Sequence, residues 1–532
     1  MKKLTTILIL CIAIIQLHAQ TGSTVKGVFI APPGTTIVLQ NGADILSLMA
    51  KKDTGTYSRN DFKFPKPLAA GTKYTVTVKT APTGMVCRIT NGQGVMPVSA
   101  AVKVECDYKY DLVSRSTKET NFSTFYESSS PVVAGNSNEE GRYVAFVSNS
   151  EIFCGTTGKH RQIFWRDRNT GKTILVSCGT KGEEGDNDSY APSMSMDGRT
   201  VAFESNATNL VDADKNGFKD VFVWESSTGK IQRVSIGTNG AEANGESFEP
   251  SLTTGEIAYT SSATNLVPGV DAGSMVNVYW RNLVTGEQKL ISVDYKTKKG
   301  GGGSRPSISM VSGDSTRIAF HSASPNLVKG DKNDFWDIFL YSKNKPLKRI
   351  SLTYNGDERN QGNESATRDV KPSISGNGRY VAFATTATNL VPNDNNNAQD
   401  IFVVDTEKDT VVRVSIDSKG IEGNGDSPIG QGEKVAISYD GKWIAFNSKA
   451  KNLGAPDYNF FMHNTATGET RAVTTGNDGC LTTQPVMSAN ASYVVFGMCP
   501  KLDSRFTSSG IFAAYTGIAG TRFSSQVEPG KK

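Results

Sequence analysis

The chain has 532 residues, of which 37% are hydrophobic and 20% are charged, and its 52 glycines separate short runs of β-forming residues. This composition is typical of an all-β protein with many turns, and the length suffices for two domains or one large repeat array. The formal net charge of +5 comes without a basic block. That argues against nucleic acid as the main partner, because phosphate recognition needs clustered Lys and Arg.

Residues 1–20 have the features of a signal peptide. Lys2 and Lys3 form a charged start, Ile7–Leu17 is an apolar run, and residues 19–20 precede a polar stretch. The apolar run is too short to span a membrane comfortably, and no other stretch is long and apolar enough. We therefore predict an exported protein that is periplasmic, exposed on the outer surface, or extracellular.

Six cysteines follow the predicted signal peptide, and they fall into three local pairs. An even number of cysteines behind a signal peptide predicts disulfides formed in an oxidising compartment. The spacing is neither CxxC nor mixed with His, which argues against zinc. The predicted disulfides are Cys87–Cys106, Cys154–Cys178 and Cys480–Cys499.

Residues 21–106 are predicted to form a small β-sandwich. Turn signals such as Asn41-Gly42 separate its candidate strands. The stretch from Tyr74 to Cys106 resembles an immunoglobulin-like module found near the start of bacterial secreted proteins. This resemblance implies a spacer or adhesive domain and no particular chemistry. The candidate strands are Val25–Ile30, Thr35–Gln40, Tyr74–Thr80, Val86–Thr90 and Val98–Cys106.

Three further segments follow this domain. Residues 107–130 are polar and are interpreted as a linker, although residues 110–115, YDLVSR, are similar to the end of the repeat described next. This segment is therefore either plain linker or a strand that closes the repeat array. The array itself is assigned to residues 131–525, and a polar tail occupies residues 526–532.

A 38-residue unit at 198–235 returns at 378–415. Its apolar-apolar-aromatic anchor recurs at intervals of about 58 residues, which is the signature of a repeat architecture. The anchor residues are Phe146, Phe203, Tyr259, Phe320, Phe383, Phe446 and Phe496.

Each repeat is predicted to contain four strands, called A, B, C and D in chain order. In the second repeat these are Ala191–Ser195, Thr200–Glu204, Asp220–Trp224 and Lys230–Ser235. Asp-Gly and Thr-Gly turns join A to B and C to D, because glycine adopts the positive φ that a tight hairpin requires. Such units bury both faces when they stack radially.

The segments SMDGRTVAF at 195–203, SGNGRYVAF at 375–383 and SYDGKWIAF at 438–446 resemble repeats of the TolB-like, or PD40, propeller family, which is related to WD40 repeats. The resemblance covers the whole array and implies a seven-bladed β-propeller. The predicted fold class is therefore all-β, with a seven-bladed β-propeller preceded by a small immunoglobulin-like β-sandwich.

The strand order places the long B–C and D–A connections at one end of every blade, where propeller ligands generally bind. An Asn-Leu-Val motif recurs in the B–C connections, at 209–211, 326–328 and 389–391. We expect its leucine to pack between blades and its asparagine to bind the loop backbone.

The same connections share the pattern D-x-N-x-x-x-D. Side-chain oxygens at this spacing suit calcium, which takes six to eight oxygen ligands, and no other cofactor is predicted. Asp and Asn also form side-chain turns without any ion, so both interpretations stay open. The candidate ligands are Asp214, Asn216, Asp220, Asp331, Asn333, Asp337, Asp394, Asn396 and Asp400.

Candidates for catalysis are few. His160, His321 and His463 fall in different repeats, and HExxH, GxSxG and phosphate-binding loop motifs are absent from the sequence. We assign no catalytic residue. The expected function is binding or scaffolding, with an envelope or extracellular protein or a glycan held at the loop-rich face. The alternatives are a carbohydrate-active enzyme, a lyase or glycosidase with its site in the channel, and a purely structural envelope protein.

Overall fold

The protein is described by a computed structural model, whose described residues are all-β apart from one short 3-10 helix, Lys451–Leu453. The described residues are 22–31, 35–51, 58–80, 85–98, 100–108, 110–114, 128–134, 139–151, 153, 156–212, 214–311, 315–333, 335–360, 371–428, 435–455, 458–474, 479–500 and 510–516. The predicted signal peptide lies outside them. Within these ranges no helix has the length and apolar character needed to cross a membrane.

The chain divides into two compact units, Met1–Tyr110 with Gln526–Lys532, and Asp111–Ser525. The first unit contains two four-stranded sheets, with the orders β4-β1-β8-β6 and β3-β2-β5-β7. Three of its strands, β3, β4 and β7, were not predicted from the sequence. The strands are β1 (Lys26–Ala31), β2 (Thr36–Asn41), β3 (Asp44–Met49), β4 (Ser58–Lys63), β5 (Lys73–Thr80), β6 (Met85–Thr90), β7 (Gln93–Val95) and β8 (Val102–Tyr108).

The two sheets of the first unit share one core, which includes Phe29 of β1 and Leu39 of β2. The predicted disulfide Cys87–Cys106 is formed, and it joins the neighbouring strands β6 and β8. Strands β1 and β8 pair in parallel. This differs from the antiparallel sheets expected of an immunoglobulin-like sandwich, so that resemblance stays a prediction.

The second unit consists of seven sheets, numbered 1 to 7 in chain order. Sheets 1 to 6 each have four antiparallel strands in the order A-B-C-D, as predicted. Their strands are, in sheet 1, β10 (Ser128–Ala134), β11 (Tyr143–Ser148), β12 (Gln162–Asp167) and β13 (Lys172–Leu175); in sheet 2, β14 (Ser189–Met194), β15 (Thr200–Ser205), β16 (Asp220–Glu225) and β17 (Ile231–Arg233); in sheet 3, β18 (Ser247–Thr253), β19 (Glu256–Ser261), β20 (Asn277–Asn282) and β21 (Gln288–Leu290); in sheet 4, β22 (Ser304–Val311), β23 (Ser315–Ser322), β24 (Asp337–Ser342) and β25 (Lys348–Arg349); in sheet 5, β26 (Ser373–Ile374), β27 (Tyr380–Thr385), β28 (Asp400–Asp405) and β29 (Thr410–Arg413); and in sheet 6, β30 (Ala436–Ile437), β31 (Trp443–Ser448), β32 (Asn459–Asn464) and β33 (Thr470–Ala472).

Sheet 7 combines strands from both ends of the chain. It contains β34 (Gly479–Leu481), β35 (Val486–Met487), β36 (Tyr493–Pro500) and β37 (Gly510–Tyr515). Beside β37 lies β9 (Tyr110–Leu112), from the YDLVSR segment. Directly after β9, the amide of Val113 donates to the carbonyl of Ile511 at 2.7 Å.

The aromatic anchor of every repeat is buried, and in sheets 1 to 6 it pairs with an aromatic ring on strand C. Phe203 and Phe222, for example, stack with ring centroids 5.7 Å apart. Most apolar clusters lie between consecutive sheets, and one cluster joins sheet 7 to sheet 1 through Tyr493, Val495 and Phe146. Both faces of each sheet are therefore buried. Repeated four-stranded sheets stacked face to face are the organisation of a β-propeller, which confirms that part of the predicted fold class.

The glycine of the A–B turn has two roles. Gly198 has φ of 72°, the left-handed conformation that the hairpin needs. A Cβ there would also lie only 2.3 Å from the ring of Tyr143 on the preceding sheet. Gly441 meets Tyr380 in the same way, and Gly141 meets Tyr493, so a tyrosine of one sheet packs on the turn of the next.

A hydroxyl group links strand C to the end of strand D in sheets 1 to 6. It accepts a hydrogen bond from a backbone amide of strand C at 2.9 to 3.0 Å. The same hydroxyl donates to the side-chain oxygen of the first residue of strand C. We call this pair of hydrogen bonds the hydroxyl bridge. The hydroxyls belong to Ser177, Ser235, Ser292, Ser351, Ser415 and Thr474, and the side-chain acceptors to Gln162, Asp220, Asn277, Asp337, Asp400 and Asn459.

We predict that Ser235→Ala destabilises the propeller by about 1–3 kcal/mol, because it takes a buried partner from Val221 and Asp220. Urea unfolding followed by tryptophan fluorescence measures this, since all five tryptophans lie in the second unit. Ser227→Ala, an exposed turn position of the same sheet, is the matched control and is expected to stay within about 0.5 kcal/mol. Equal effects of the two changes would contradict the importance of the bridge.

Candidate functional site

The predicted calcium residues of sheet 2 surround an arginine. The guanidinium of Arg233 lies 3.0 Å from Asp214, 3.1 Å from Asp220 and 2.8 Å from Glu242. Arg233 is only 8% exposed and Asp220 is fully buried, so this is an interior ion pair network. The positive charge that the sequence analysis attributed to a bound cation is supplied by the chain itself.

The same arrangement recurs in sheets 4 and 5, so the three acidic loops share one structure, which we call the arginine cluster. In sheet 4 a second guanidinium, from Arg359, also contacts Asp337, at 3.2 Å. The other contacts are Arg349 with Asp331 at 2.7 Å, Asp337 at 3.2 Å and Glu358 at 3.1 Å, and Arg413 with Asp394 at 3.1 Å, Asp400 at 3.4 Å and Glu422 at 2.9 Å.

The three asparagines of the pattern form turns. The side-chain oxygen of Asn216 accepts the amide of Phe218 at 3.0 Å, and its amide nitrogen donates to Asp220 at 2.9 Å. Asn333 and Asn396 accept backbone amides two residues ahead in the same way. These side-chain turns form without an ion, which supports the turn interpretation.

In the described geometry guanidinium groups and turn hydrogen bonds engage these candidate residues, and calcium binding stays a prediction. Among the residues that the structure describes, no group of three or more His, Cys, Asp or Glu side chains is arranged to hold a metal. The sequence analysis overlooked the arginine, although R-V-S or R-I-S stands at the end of strand D in each of the three repeats that carry the acidic pattern.

The other sheets show why arginine and aspartate belong together. In the register of strand D, the position of Arg233 is taken by Leu175 in sheet 1, Leu290 in sheet 3 and Ala472 in sheet 6. In the same three sheets the position of Asp220 is taken by an uncharged amide, Gln162, Asn277 or Asn459. The charge and its countercharge are present together or absent together, as an interior ion pair requires.

Burial affects the acidity of these carboxyl groups. Removal from water raises the pKa of Asp214 and that of Asp400 to about 6. Burial also raises the pKa of Asp220, Asp331 and Asp394, while the neighbouring guanidinium opposes the shift in each case. With values of about 6, Asp214 and Asp400 are ionised at neutral pH and hold their arginines.

The histidines do not form a common site. They belong to three different sheets: His160 precedes β12, His321 lies in β23 and His463 in β32. His321 is buried and stacks on Trp336 at 4.5 Å, whereas His463 contacts Thr470 at 2.8 Å. Burial lowers the pKa of His463 to about 4, so this imidazole is neutral at physiological pH.

The cysteine predictions have mixed outcomes beyond the disulfide already described. Cys178 is a free thiol that packs against the cluster between sheets 7 and 1, so the predicted bond to Cys154 is not formed. Burial raises the pKa of this thiol. Cys154 lies outside the described residues. Cys480 and Cys499 face each other in the β34–β36 register, but their side chains are not described and this disulfide stays a prediction.

The B–C and D–A connections are tied together at one end of the propeller. The side chain of Asn209 donates to the carbonyl of Glu184 and accepts the amide of Asp186, both at 3.0 Å. The same two hydrogen bonds, one donated and one accepted, join the preceding D–A connection to the side chains of Asn265, Asn389 and Asn452. Leu210, Leu327 and Leu390 are buried between sheets. The predicted packing role is therefore confirmed for all three leucines, and the predicted backbone contact is confirmed for Asn209 and Asn389, whereas for Asn326 it stays a prediction.

Several large apolar side chains on these tied connections face solvent. Phe218 is 40% exposed and Met275 is 55% exposed, on the B–C connections of the adjacent sheets 2 and 3. Tyr354 and Ile421, on the D–A connections that follow sheets 4 and 5, are each 55% exposed. We call these four residues the loop-face anchors. They give the loop-rich end a set of apolar contact points on a rigid base.

A cavity of about 160 Å³ lies at the opposite end, where the strands A approach the A–B turns. Strands or turns from all seven sheets border it, and its wall presents both polar and apolar atoms. Small-molecule pockets usually have volumes of about 300–1,000 Å³, so this cavity suits a single side chain better than a cofactor. It is lined by Val133, Ala134, Met194, Met196, Leu252, Thr253, Ile308, Gly376, Ile437, Tyr439, Met487 and Ala489.

Comparisons with known proteins were made at three levels. No family model and no curated protein matches the chain. Among solved structures, an oligogalacturonate lyase from Vibrio parahaemolyticus has 10% identity and a TM-score of 0.45, and the match covers 84% of this chain and 98% of that one. The β-propeller domain of the Trilobed protease from Pyrococcus furiosus has 12% identity and a TM-score of 0.41, with 77% and 100% covered. A TolB structure from Agrobacterium tumefaciens has 13% identity and a TM-score of 0.31, with 65% and 94% covered.

These likenesses are too distant to carry an argument about substrate or activity. The assignment as a β-propeller rests on the sheets of this chain itself, on their strand order and on the clusters between them.

We predict that Arg413→Leu lowers the free energy of unfolding by about 3–5 kcal/mol, because it leaves the buried carboxylates Asp394 and Asp400 without their countercharge. The triple change Asp394→Asn, Asp400→Asn and Arg413→Leu is expected to recover most of the loss, since it imitates the uncharged pairing of Asn277 with Leu290. Urea unfolding followed by tryptophan fluorescence measures both. A triple variant no more stable than Arg413→Leu would contradict the ion-pair interpretation.

We also predict that His463 makes the propeller less stable in acid. Its pKa is about 4 in the folded state and about 6.5 unfolded, so the unfolded chain binds a proton first and stability falls between pH 6.5 and 4. Between pH 7 and pH 5 this contribution costs about 2 kcal/mol. His463→Gln should lose less stability than the parent chain over the same interval, measured by urea unfolding at both pH values. An equal loss in the two proteins would show that His463 is not buried in its neutral form.

Proposed function

We propose that this protein is an exported binding protein that recognises an envelope or extracellular protein, or a glycan, through the loop-rich end of its propeller. The observation that carries the proposal is the combination of rigid connections and exposed anchors at that end. Binding surfaces gain affinity when loops are held in one conformation before the partner arrives, and exposed aromatic side chains supply most of the binding energy.

The arginine clusters support binding over catalysis. A general acid or base needs a carboxyl group that is free to exchange a proton with substrate, but the loop carboxylates of sheets 2, 4 and 5 are paired with guanidinium groups. These pairs instead hold the B–C connections to strand D. The connections are thereby fixed as a platform for the loop-face anchors.

We further infer that the seven sheets are seven blades and that β9 closes the ring as the fourth strand of the last blade. Two features support this. The cavity is bordered by all seven sheets, and the cluster of Tyr493 and Phe146 joins the last sheet to the first. Under this inference the YDLVSR segment is part of the propeller and not of a linker.

We predict that substitution of two of the four loop-face anchors strongly reduces capture of the partner. The mature chain, residues 21–532, is immobilised and exposed to solubilised envelope proteins and to surface polysaccharide of the source organism. Phe218→Ser combined with Met275→Ser is expected to reduce specific capture at least tenfold, because both exposed anchors are removed from adjacent connections. Val284→Ser is the control, since Val284 is 86% exposed on the C–D turn at the other end of sheet 3.

Two outcomes would overturn the proposal. Capture that survives the loop variants but is lost in Tyr439→Ser would move the site to the cavity at the A–B turns. Shortening of the polysaccharide chains by the parent protein would favour a carbohydrate-active enzyme.

A further inference from the structure

Strand β3 of the first unit is an edge strand with an apolar outer face. It ends the sheet β3-β2-β5-β7, and none of the described residues pairs with its other side. Its residues alternate, so that Leu46 and Leu48 pack on the core while Ile45, Ser47 and Met49 point outward. Ile45 is 47% exposed and Met49 is 67% exposed. An exposed edge of this kind is a template for pairing with another strand.

Two of the other three edges of the same unit, β4 and β7, are protected in known ways. Strand β4 points the charged side chains of Arg59, Asp61 and Lys63 to solvent. Strand β7 has only three residues, and β6 carries the disulfide to its neighbour β8. Charges and short length are the usual devices that prevent edge-to-edge association. Between Ile45 and Met49, β3 has no charge and no proline, so it lacks these devices.

The hairpin that joins β2 to β3 determines which backbone groups are available. Asn41 pairs with Asp44 across a two-residue turn, and Gly42 has φ of 60°. In such a hairpin the residues that flank the turn form a hydrogen-bonded pair, and the following pair does not. Ile45 is therefore the first residue of β3 whose N–H and C=O point away from β2. The backbone N–H and C=O groups of Ser47 and Met49 also point away from β2.

The free edge is also self-complementary. Residues 45–49 read Ile-Leu-Ser-Leu-Met, which is nearly symmetric about Ser47. A two-fold interface brings the same patch of both subunits together, so it requires a surface that complements itself. Antiparallel pairing centred on Ser47 places Ile45 opposite Met49 and Leu46 opposite Leu48, with every residue on its own face of the sheet.

We propose that two copies of this chain associate through antiparallel pairing of β3 with β3, centred on Ser47. The two four-stranded sheets then continue as one eight-stranded sheet. Ile45, Ser47 and Met49 of both copies exchange backbone hydrogen bonds, and the exposed side chains of Ile45 and Met49 cover each other. Each leucine at 46 meets a leucine at 48 of the second copy, which extends the apolar core across the two-fold axis. This dimer is independent of the binding function proposed for the propeller.

The interface is small, because one strand of six residues contributes it. Specific interfaces below about 1,200 Å² are typically weak and transient. We therefore expect a monomer–dimer equilibrium that depends on concentration and that two charges on the edge abolish.

Sedimentation equilibrium of the full mature chain tests the proposal. We expect the average mass to rise toward that of a dimer as the concentration increases. Ile45→Lys combined with Met49→Lys should remain a monomer at every concentration, because like charges would face each other across the pair. Val284→Lys combined with Val412→Lys is the matched control, since both valines are exposed on the propeller. Thermal unfolding of each variant verifies that it is folded.

Cross-linking provides the second, position-specific test. Ser47→Cys places two thiols at the two-fold axis, where opposite Cα atoms of a hydrogen-bonded pair lie about 5.5 Å apart, within the range of a disulfide. We expect covalent dimers on mild oxidation, and none with the parent chain or with Ser227→Cys, an exposed turn of the propeller. A parent chain that stays monomeric at all concentrations, a dimer that survives the two lysines, or equal cross-linking by Ser227→Cys would each overturn the proposal.

Discussion

The structure of the propeller depends on the hydroxyl bridge between strands C and D. A serine or threonine hydroxyl holds a backbone amide of strand C on one side and the first side chain of that strand on the other, in six of the described sheets. Because the hydroxyl accepts and donates at once, it tolerates either a carboxylate or an amide as its side-chain partner. The bridge is therefore constant, while the charge beside it varies from sheet to sheet.

A change from an amide to a carboxylate beside the hydroxyl bridge requires a compensating charge. Where the partner is aspartate, the buried charge needs compensation, and the register of strand D places an arginine beside it. Where the partner is an amide, an apolar residue occupies the same position and packs instead. Three sheets of this chain therefore pair a buried aspartate with arginine, and three pair a buried amide with an apolar residue. The acidic loops follow from this condition and are part of the framework.

The two ends of the propeller consequently differ in character. At the loop-rich end, the buried carboxylates and the tying asparagines are engaged in ion pairs and hydrogen bonds, and isolated apolar residues such as Phe218 and Met275 face solvent. At the other end the A–B turns are short and surround a small cavity that includes Met194 and Tyr439. The sequence analysis expected ligands at the first end because long loops lie there. The sequence predicted a propeller channel but not a cavity at the A–B turns, which residues of all seven described sheets border.

The sequence by itself determined the all-β class, the repeat and the order of strands, because alternation, glycine turns and aromatic anchors act within a few residues of one another. The strands predicted for the second repeat differ from β14–β17 by only one or two residues at most of their ends. In the first unit β3 was not predicted, although the alternation of its two leucines with other residues is the pattern of a half-buried strand.

Only the tertiary structure decided what the acidic loops do. Asp220 and Arg233 are 13 residues apart, and nothing local brings them together; they meet because strand D folds back beside strand C in one register. Likewise, the thiol of Cys178 packs into an apolar cluster formed by the first and last sheets, a contact between segments more than 300 residues apart. The residues of a single strand or turn can be predicted from the sequence because their pattern is local. The partner of a buried charge cannot, because it comes from another segment of the chain.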